Sequence, residues 1–186
     1  MKVCKFGGSS LADAKQLTKV IDIVLADPQR RMVVVSAPGK RSKADTKVTD
    51  LLIALAQAAL DKADTKAPLA AVVARYASIA RDLDLGAEIV KEIEADLRAR
   101  LASPKKDAGI FMDTLKAAGE DNSAKLAAVA FRKRGVKARY ANPKDTGMVL
   151  EGESGNATLV DESYRRLARA FSDFEGIVIY PGFFGY

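Results

Sequence analysis

The 186 residues predict an α/β fold, a three-layer sandwich around a mainly parallel sheet with an inserted helical segment at about residues 50–103. Three observations carry this. Met32-Val33-Val34-Val35 is an unbroken apolar run, the pattern of a parallel strand covered on both faces. Within the first 35 residues a strand, a helix and this second strand follow one another, the order of a βαβ unit with a right-handed crossover. Glycine-bearing turns at Gly7-Gly8, Gly39 and Gly182 stand at strand ends, where open α/β sheets take their ligands.

Val3 to Phe6 is the first strand, read as buried, with Cys4 inside it, and a helix is expected from Leu11 onward. Leu17, Val20, Ile21, Val24 and Leu25 recur at helical spacing until Asp27-Pro28 ends the run. After the second strand and Ser36-Ala37-Pro38-Gly39, residues 40–47 are polar and without apolar anchors, so this loop is expected to be mobile. Thr49 is a candidate N-cap for a helix whose face is Leu51, Leu52, Leu55, Ala56, Ala59 and Leu60. Two further helices follow, with stripes Leu69, Val72, Val73, Tyr76, Ile79, Leu83 and Ile89, Ile93, Leu97, Leu101, expected to pack on one side of the sheet. A short helix over 108–117 is expected to stop before Gly119-Glu120, which then opens another helix running to Gly135. Val136–Tyr140 is a third strand, Met148–Leu150 and Thr158–Val160 are short extended pieces, Tyr164, Leu167, Ala168 and Phe171 mark a helix, and Ile177–Tyr180 is the last strand.

Composition narrows the chemistry. With 48% hydrophobic residues the chain can build a sizeable core. The net charge of +6 fits anionic small molecules or nucleic acid, but the short clusters Arg30-Arg31 and Lys40-Arg41 have no aromatic neighbours, so nucleic acid is not expected as a partner. One cysteine allows no internal disulfide, and no apolar run reaches membrane-spanning length, so a cytoplasmic protein with no membrane partner is expected. No histidine occurs, which removes His-dependent nucleophile schemes and His-ligated zinc. Lysine, arginine, carboxylates, hydroxyls and backbone N–H groups remain, the palette of phosphoryl transfer.

Lys5-Phe6-Gly7-Gly8-Ser9-Ser10 is the stretch that best fits an anion: a strand-end lysine, two glycines that let the backbone approach closely, then two hydroxyls. The same residues also fit a tight strand-to-helix turn with Ser9 or Ser10 as N-cap. They match neither a Walker A loop nor a dinucleotide fingerprint.

The KFGGSS loop, the VVVSAPGK strand end, the Thr49-Asp50-Leu51-Leu52 helix start, Gly119-Glu120 before an Ala-rich helix, and the Pro181-Gly182-Phe183 turn, in that order, resemble aspartate kinases of the amino-acid-kinase superfamily over essentially the whole chain. The resemblance implies that residues 1–186 are the N-terminal part of a catalytic domain, with the nucleotide half and regulatory domains beyond them, and that this part alone is inactive. It implies transfer of the γ-phosphoryl of ATP, carried with Mg2+, to the side-chain carboxylate of L-aspartate, the first step towards lysine, threonine and methionine, in an enzyme that dimerises. Lys5 would bridge the transferring group as the catalytic lysine, Phe6, Gly7, Gly8 and Ser9 would cradle phosphate, Ser36, Thr49 and Glu120 would form the aspartate pocket, and Phe183 would wall it; no metal ligand is expected from the chain. A carboxylate nucleophile is already ionised and needs no base, which agrees with the missing histidine. Each residue also has a plainer role: Lys5 as a snorkelling lysine, Ser36 satisfying a strand end, Thr49 as a cap, Glu120 as a helix-start carboxylate, and Phe183 in a core. Asp50 and Asp121 read as surface charges. Glutamate or N-acetylglutamate kinases of the same superfamily, and a non-catalytic half-domain binding module, are the competing readings.

Overall fold

The computed structural model describes every residue but Ser154, Gly155, Asp173, Phe183 and Tyr186. In chain order its elements are β1 (Lys2–Phe6), a 3-10 turn (Gly8–Leu11), α1 (Ala14–Leu25), β2 (Arg30–Val35), α2 (Val48–Leu60), α3 (Lys66–Asp82), α4 (Glu88–Leu101), α5 (Ala108–Lys133), β3 (Ala138–Tyr140), α6 (Pro143–Thr146), β4 (Leu150–Glu151), β5 (Thr158–Leu159), α7 (Glu162–Ser172) and β6 (Ile177–Pro181). The main sheet has the order β1-β2-β6-β3 and every pairing in it is parallel. β4 and β5 form a separate antiparallel pair, with Leu150 opposite Leu159.

The two faces of the sheet are covered unequally. Val33, Val35, Ile179, Ala138 and Ile177 point to the side of α1 and α5 and join the large core there. Met32, Val34, Val178 and Tyr180 point to the other side, where Leu167 and Phe171 of α7 meet them. Phe171 stands edge-on to Tyr180, with ring centroids 5.7 Å apart. Helices α2, α3 and α4 form a further layer. They pack chiefly on α5 and α1, not on the sheet itself as the sequence led us to expect. The largest fully buried side chains, Tyr76, Phe111 and Phe131, sit in this helical core, where burying a side chain of that size is worth about 1.5–3 kcal/mol.

Several local expectations are corrected. β1 is an edge strand with Val3 60% exposed and Cys4 only half-buried, because strand pairing reaches it from β2 alone. No α-helix starts at Leu11. The chain makes a four-residue 3-10 turn, and α1 begins at Ala14, where the Asp13 carboxylate accepts the Gln16 N–H at 2.8 Å. Helix α2 is entered from Lys47 with no side-chain cap, so Thr49 lies inside its first turn and is not the N-cap.

The expected break before Gly119 does not exist: α5 runs unbroken for 26 residues. Gly119 reads as a breaker because of its backbone freedom, and the Asp-Asn-Ser run after it reads as a cap because those side chains compete for backbone groups in isolation. Here tertiary partners occupy them instead. Gly119 lies so close to the β2 strand end that a Cβ on it would stand 2.9 Å from the Ala37 Cβ and 3.0 Å from Leu52 Cδ1. Asp121, read as a surface charge, is 1% exposed and bonded to Arg100 at 2.7 Å. Helix α5 does end near Gly135, whose φ of +77° places it at the left-handed position of a Schellman motif.

Candidate active site

The loop after β1 and the loop after β2 are locked together by backbone. Ser36 N–H donates to the Phe6 carbonyl at 3.1 Å, and Gly39 N–H donates to the Gly8 carbonyl at 2.8 Å. The approach is close enough to need glycine on both sides: a Cβ on Gly8 would stand 2.9 Å from the Ala37 oxygen, and one on Gly39 would stand 2.6 Å from the Gly8 carbonyl carbon. Val48 N–H then donates to the Pro38 carbonyl at 3.0 Å, which seats the start of α2, and with it Thr49, against the same loop. Gly119 closes the set through its contact with Ala37, and Glu120 is the next residue. Tyr76 on α3 donates its hydroxyl to the Gly119 carbonyl at 2.7 Å. Burial, helped by the charges of Asp96, Asp121 and Glu120, pushes this phenol well above its ordinary pKa, so it remains a neutral donor.

Lys5, Phe6, Gly7, Gly8, Ser9, Ser36, Thr49 and Glu120 are thus linked by a continuous chain of contacts, although they come from four separate stretches. Lys5 pairs with Val34, which pairs with Tyr180, so its side chain stands on the α7 side of the sheet. It is exposed, and no hydrogen bond or ion pair engages it among the described residues. Gly7 differs from its neighbour: a Cβ there would meet nothing within 4 Å, and its φ of −77° is open to any residue. The protein's own packing does not require glycine at 7, and the space beside it is room for a ligand. Phe183 lies outside the described residues; Gly182 before it donates to the Val35 carbonyl at 3.0 Å, at the same strand ends.

A cavity of about 450 Å³ is lined by Thr49, Asp113, Lys116, Ala117, Glu120, Leu150 and Ala157. Two of the four expected substrate residues, Thr49 and Glu120, therefore face one space. Asp113 and Lys116, which have no role in the sequence reading, form an ion pair at 2.5 Å on the cavity wall. Their signal is the i, i+3, i+7 spacing of Asp113, Lys116 and Glu120 on one face of α5. A larger cavity of about 590 Å³ lies between α7 and the sheet, but its walls are mostly apolar and include none of the expected site residues, so it does not suit a zwitterionic substrate. Among the described residues no group of three or more Asp, Glu, Cys or His side chains comes together to hold a metal, and no helix is long and apolar enough to cross a membrane.

The clearest feature missed in the sequence is Arg75. It sits three residues after Val72 and four before Ile79, in the apolar stripe of α3, and an arginine in a core-facing position is a signal in itself. It is 5% exposed. Its Nη1 donates to Asp45 Oδ2 at 2.5 Å and to the Thr46 carbonyl at 3.0 Å, and its Nη2 donates to the Gly39 carbonyl at 2.7 Å and the Ala12 carbonyl at 3.3 Å. Arg41 also binds Asp45 through side chain and backbone, so Arg41 and Arg75 hold that carboxyl far below the ordinary range. The 40–47 loop, expected to be mobile, is therefore tied down through Asp45 and Thr46.

Comparison with known proteins agrees with this architecture. Aspartokinase 3 of Bacillus subtilis is 52% identical over 186 residues, which is 100% of this chain and 41% of that relative. Lysine-sensitive aspartokinase 3 of Escherichia coli is 30% identical, over 98% of this chain and 40% of its own length. The crystal structure of E. coli aspartokinase III in complex with aspartate and ADP superposes with a TM-score of 0.79 at 27% identity, over 98% of this chain and 40% of that one. The chain thus spans about two-fifths of the length of the relatives it matches. The model of the amino acid kinase family matches residues 1–186, the whole length, and the chain belongs to that family.

Proposed function

We propose that these residues are the N-terminal part of the catalytic domain of an aspartate kinase, which transfers the γ-phosphoryl group of ATP to the side-chain carboxylate of L-aspartate. The observation that carries this reading is the shared cavity: Thr49 from α2 and Glu120 from α5 face one space whose lining has both signs of charge. An amino acid brings an ammonium and two carboxylates, and a lining of one sign would repel part of it. Glu120 suits the ammonium, and the hydroxyls of Ser36 and Thr49 suit a carboxylate. Thr49 stands in the first turn of α2, where the helix dipole favours an anion, although the N–H groups of Val48, Asp50 and Leu51 there already donate to the Pro38 and Lys47 carbonyls.

On the phosphate side, the open space beside Gly7 fits a group that approaches the backbone of Phe6, Gly7, Gly8 and Ser9. Lys5, exposed at the end of β1 one residue before Phe6, is the cation we assign to it. Triphosphate and carboxylate repel one another, so a positive charge aimed between them lowers the barrier more than any base would. Mg2+ in this reading arrives on the nucleotide and neutralises part of its charge. Phe183 is assigned as a wall of the aspartate pocket on sequence grounds.

The test uses the full-length gene product in a coupled assay of ADP formation with aspartate, glutamate and N-acetylglutamate as acceptors. Aspartate is expected to support turnover, and Lys5→Met is expected to lower kcat by about 10²–10³-fold with the fold intact by circular dichroism. Turnover with another acceptor alone, or a Lys5→Met enzyme of normal kcat, would sink the proposal.

A further inference from the structure

We propose that Arg75 is a positioning residue that sets the phosphate-side loop, the substrate-side loop and the approach to α2 in one register from the helical layer behind them. Its guanidinium holds three separate segments at once. Ala12 follows the 3-10 turn of the KFGGSS loop, Gly39 ends the Ser36–Gly39 loop, and Asp45 and Thr46 lead into the α2 turn that carries Thr49. Two donors from each Nη reach these acceptors, which uses all four Nη protons. The planar fork makes the contacts mutually dependent: Nη1 serves the segment before α2 and Nη2 serves the other two loops, so neither side can shift without tilting the group away from its partners on the other.

Burial strengthens the coupling. A guanidinium that is 5% exposed is stable only while its acceptors stay in place, because an unpaired charge there costs several kcal/mol. The loops that bear the site are therefore held by an energetic demand of α3, a helix that contributes no residue to either side of the proposed reaction. Direct loop-to-loop bonds, Gly39 to Gly8 and Val48 to Pro38, set the local spacing. Arg75 joins those pairs into one body. The kinetic part of this inference rests on the aspartate kinase reading; the structural part does not.

The experiment compares Arg75→Lys, Arg75→Met and Asp45→Asn in the full-length protein, by amide hydrogen exchange and by steady-state kinetics. A lysine supplies one nitrogen with tetrahedral donors and cannot serve both sides of the fork. Arg75→Lys is expected to raise exchange in residues 8–12 and 36–47 together, leave residues 111–131 unchanged, and lower kcat by about 10–100-fold through misplacement of the reacting groups, with both KM values rising. Asp45→Asn keeps the carbonyl acceptors, so it is expected to loosen residues 40–47 alone and to lower kcat less. Arg75→Met should exceed Arg75→Lys on every measure. If a folded Arg75→Lys protein shows unchanged exchange in 8–12 and 36–47, or loosens only one of them, the proposal is wrong. A protein inactive on aspartate in its native form would overturn the functional reading, and the exchange pattern would still decide the role of Arg75.

Discussion

Gly7 and Gly8 are adjacent glycines with opposite surroundings. A Cβ on Gly8 would press on the Ala37 oxygen and on Gly39, both backbone, which cannot give way as a flexible side chain can. Gly8→Ala is therefore expected to destabilise the protein by about 1–3 kcal/mol, the usual cost of forcing atoms into a packed site. A Cβ on Gly7 meets nothing, so Gly7→Ala is expected to change stability by no more than about 0.5 kcal/mol while raising the KM for ATP. Urea denaturation and ATP saturation curves on the two variants separate the roles. A normal ATP KM in Gly7→Ala would remove the phosphate-cradle role from that residue. At this scale the sequence was informative about residue type and blind to pairing. KFGGSS shows two glycines, but the partner that makes Gly8 obligatory is the backbone of the Ala37–Gly39 loop, which approaches only once β1 and β2 are side by side. Arg75 was legible in principle, as a charge inside the apolar stripe of α3, and its acceptors were not, because three are backbone carbonyls with no sequence signature and the fourth, Asp45, lies thirty residues away in a polar loop.

Helix α5 shows why element boundaries were harder to read than element types. The amphipathic stripes of α1, α3 and α4 were legible because apolar spacing alone defines them. The middle of α5 carries Gly119, Asp121, Asn122 and Ser123, all buried, and buried polar groups have no periodic signal. The partners of Asp121 and Asn122 lie mostly on other elements. Arg100 of α4 bonds Asp96 at 2.9 Å and Asp121 at 2.7 Å, Lys125 stands 3.3 Å from each carboxylate, Asn122 donates to Asp96 at 2.9 Å, and Tyr140 of β3 donates to Asp121. This cluster fastens α4 to α5 beside Glu120. Asp121→Ala would leave two cations sharing Asp96 and is expected to cost about 3–5 kcal/mol, measurable in urea. Burial pushes the Asp96 carboxyl up, but Arg100, Lys125 and Asn122 together outweigh burial and hold it below its ordinary value. The contribution of a depressed carboxylate is present above its unfolded pKa of about 3.9 and is lost as pH falls towards the folded value. Asp96→Asn should therefore flatten the loss of stability below about pH 4. An unchanged acid limb in that variant would mean that Asp96 is not part of the titration.

At the scale of the molecule, the parallel sheet and its helical cover followed from the apolar strand runs and the βαβ order, and the resemblance of the motifs pointed to the family. The strand order did not follow: β6 lies between β2 and β3, a placement set by contacts between the two ends of the chain. That placement brings Gly182 to the Val35 carbonyl and gives the sheet two unlike faces. One face is covered by α1 and α5 and backed by three more helices; the other meets α7 across a cavity of about 590 Å³, with Thr146 of α6 bonded to Tyr180 and Met148 and Phe174 packed at its margin. Ser163 is the one buried residue of α7, whereas α5 has thirteen. Local stability follows buried apolar contact, so opening α7 and the β4–β5 pair should cost far less than opening α5 against the sheet. Amide exchange of this 186-residue chain is expected to show α7, β4 and β5 exchanging through local opening, with rates insensitive to low urea, and residues 118–131 together with β2 exchanging only through global unfolding. Protection of α7 equal to that of α5 would contradict this division, and would mean that contacts across the α7 face are stronger than its half-buried Leu167 and Phe171 account for.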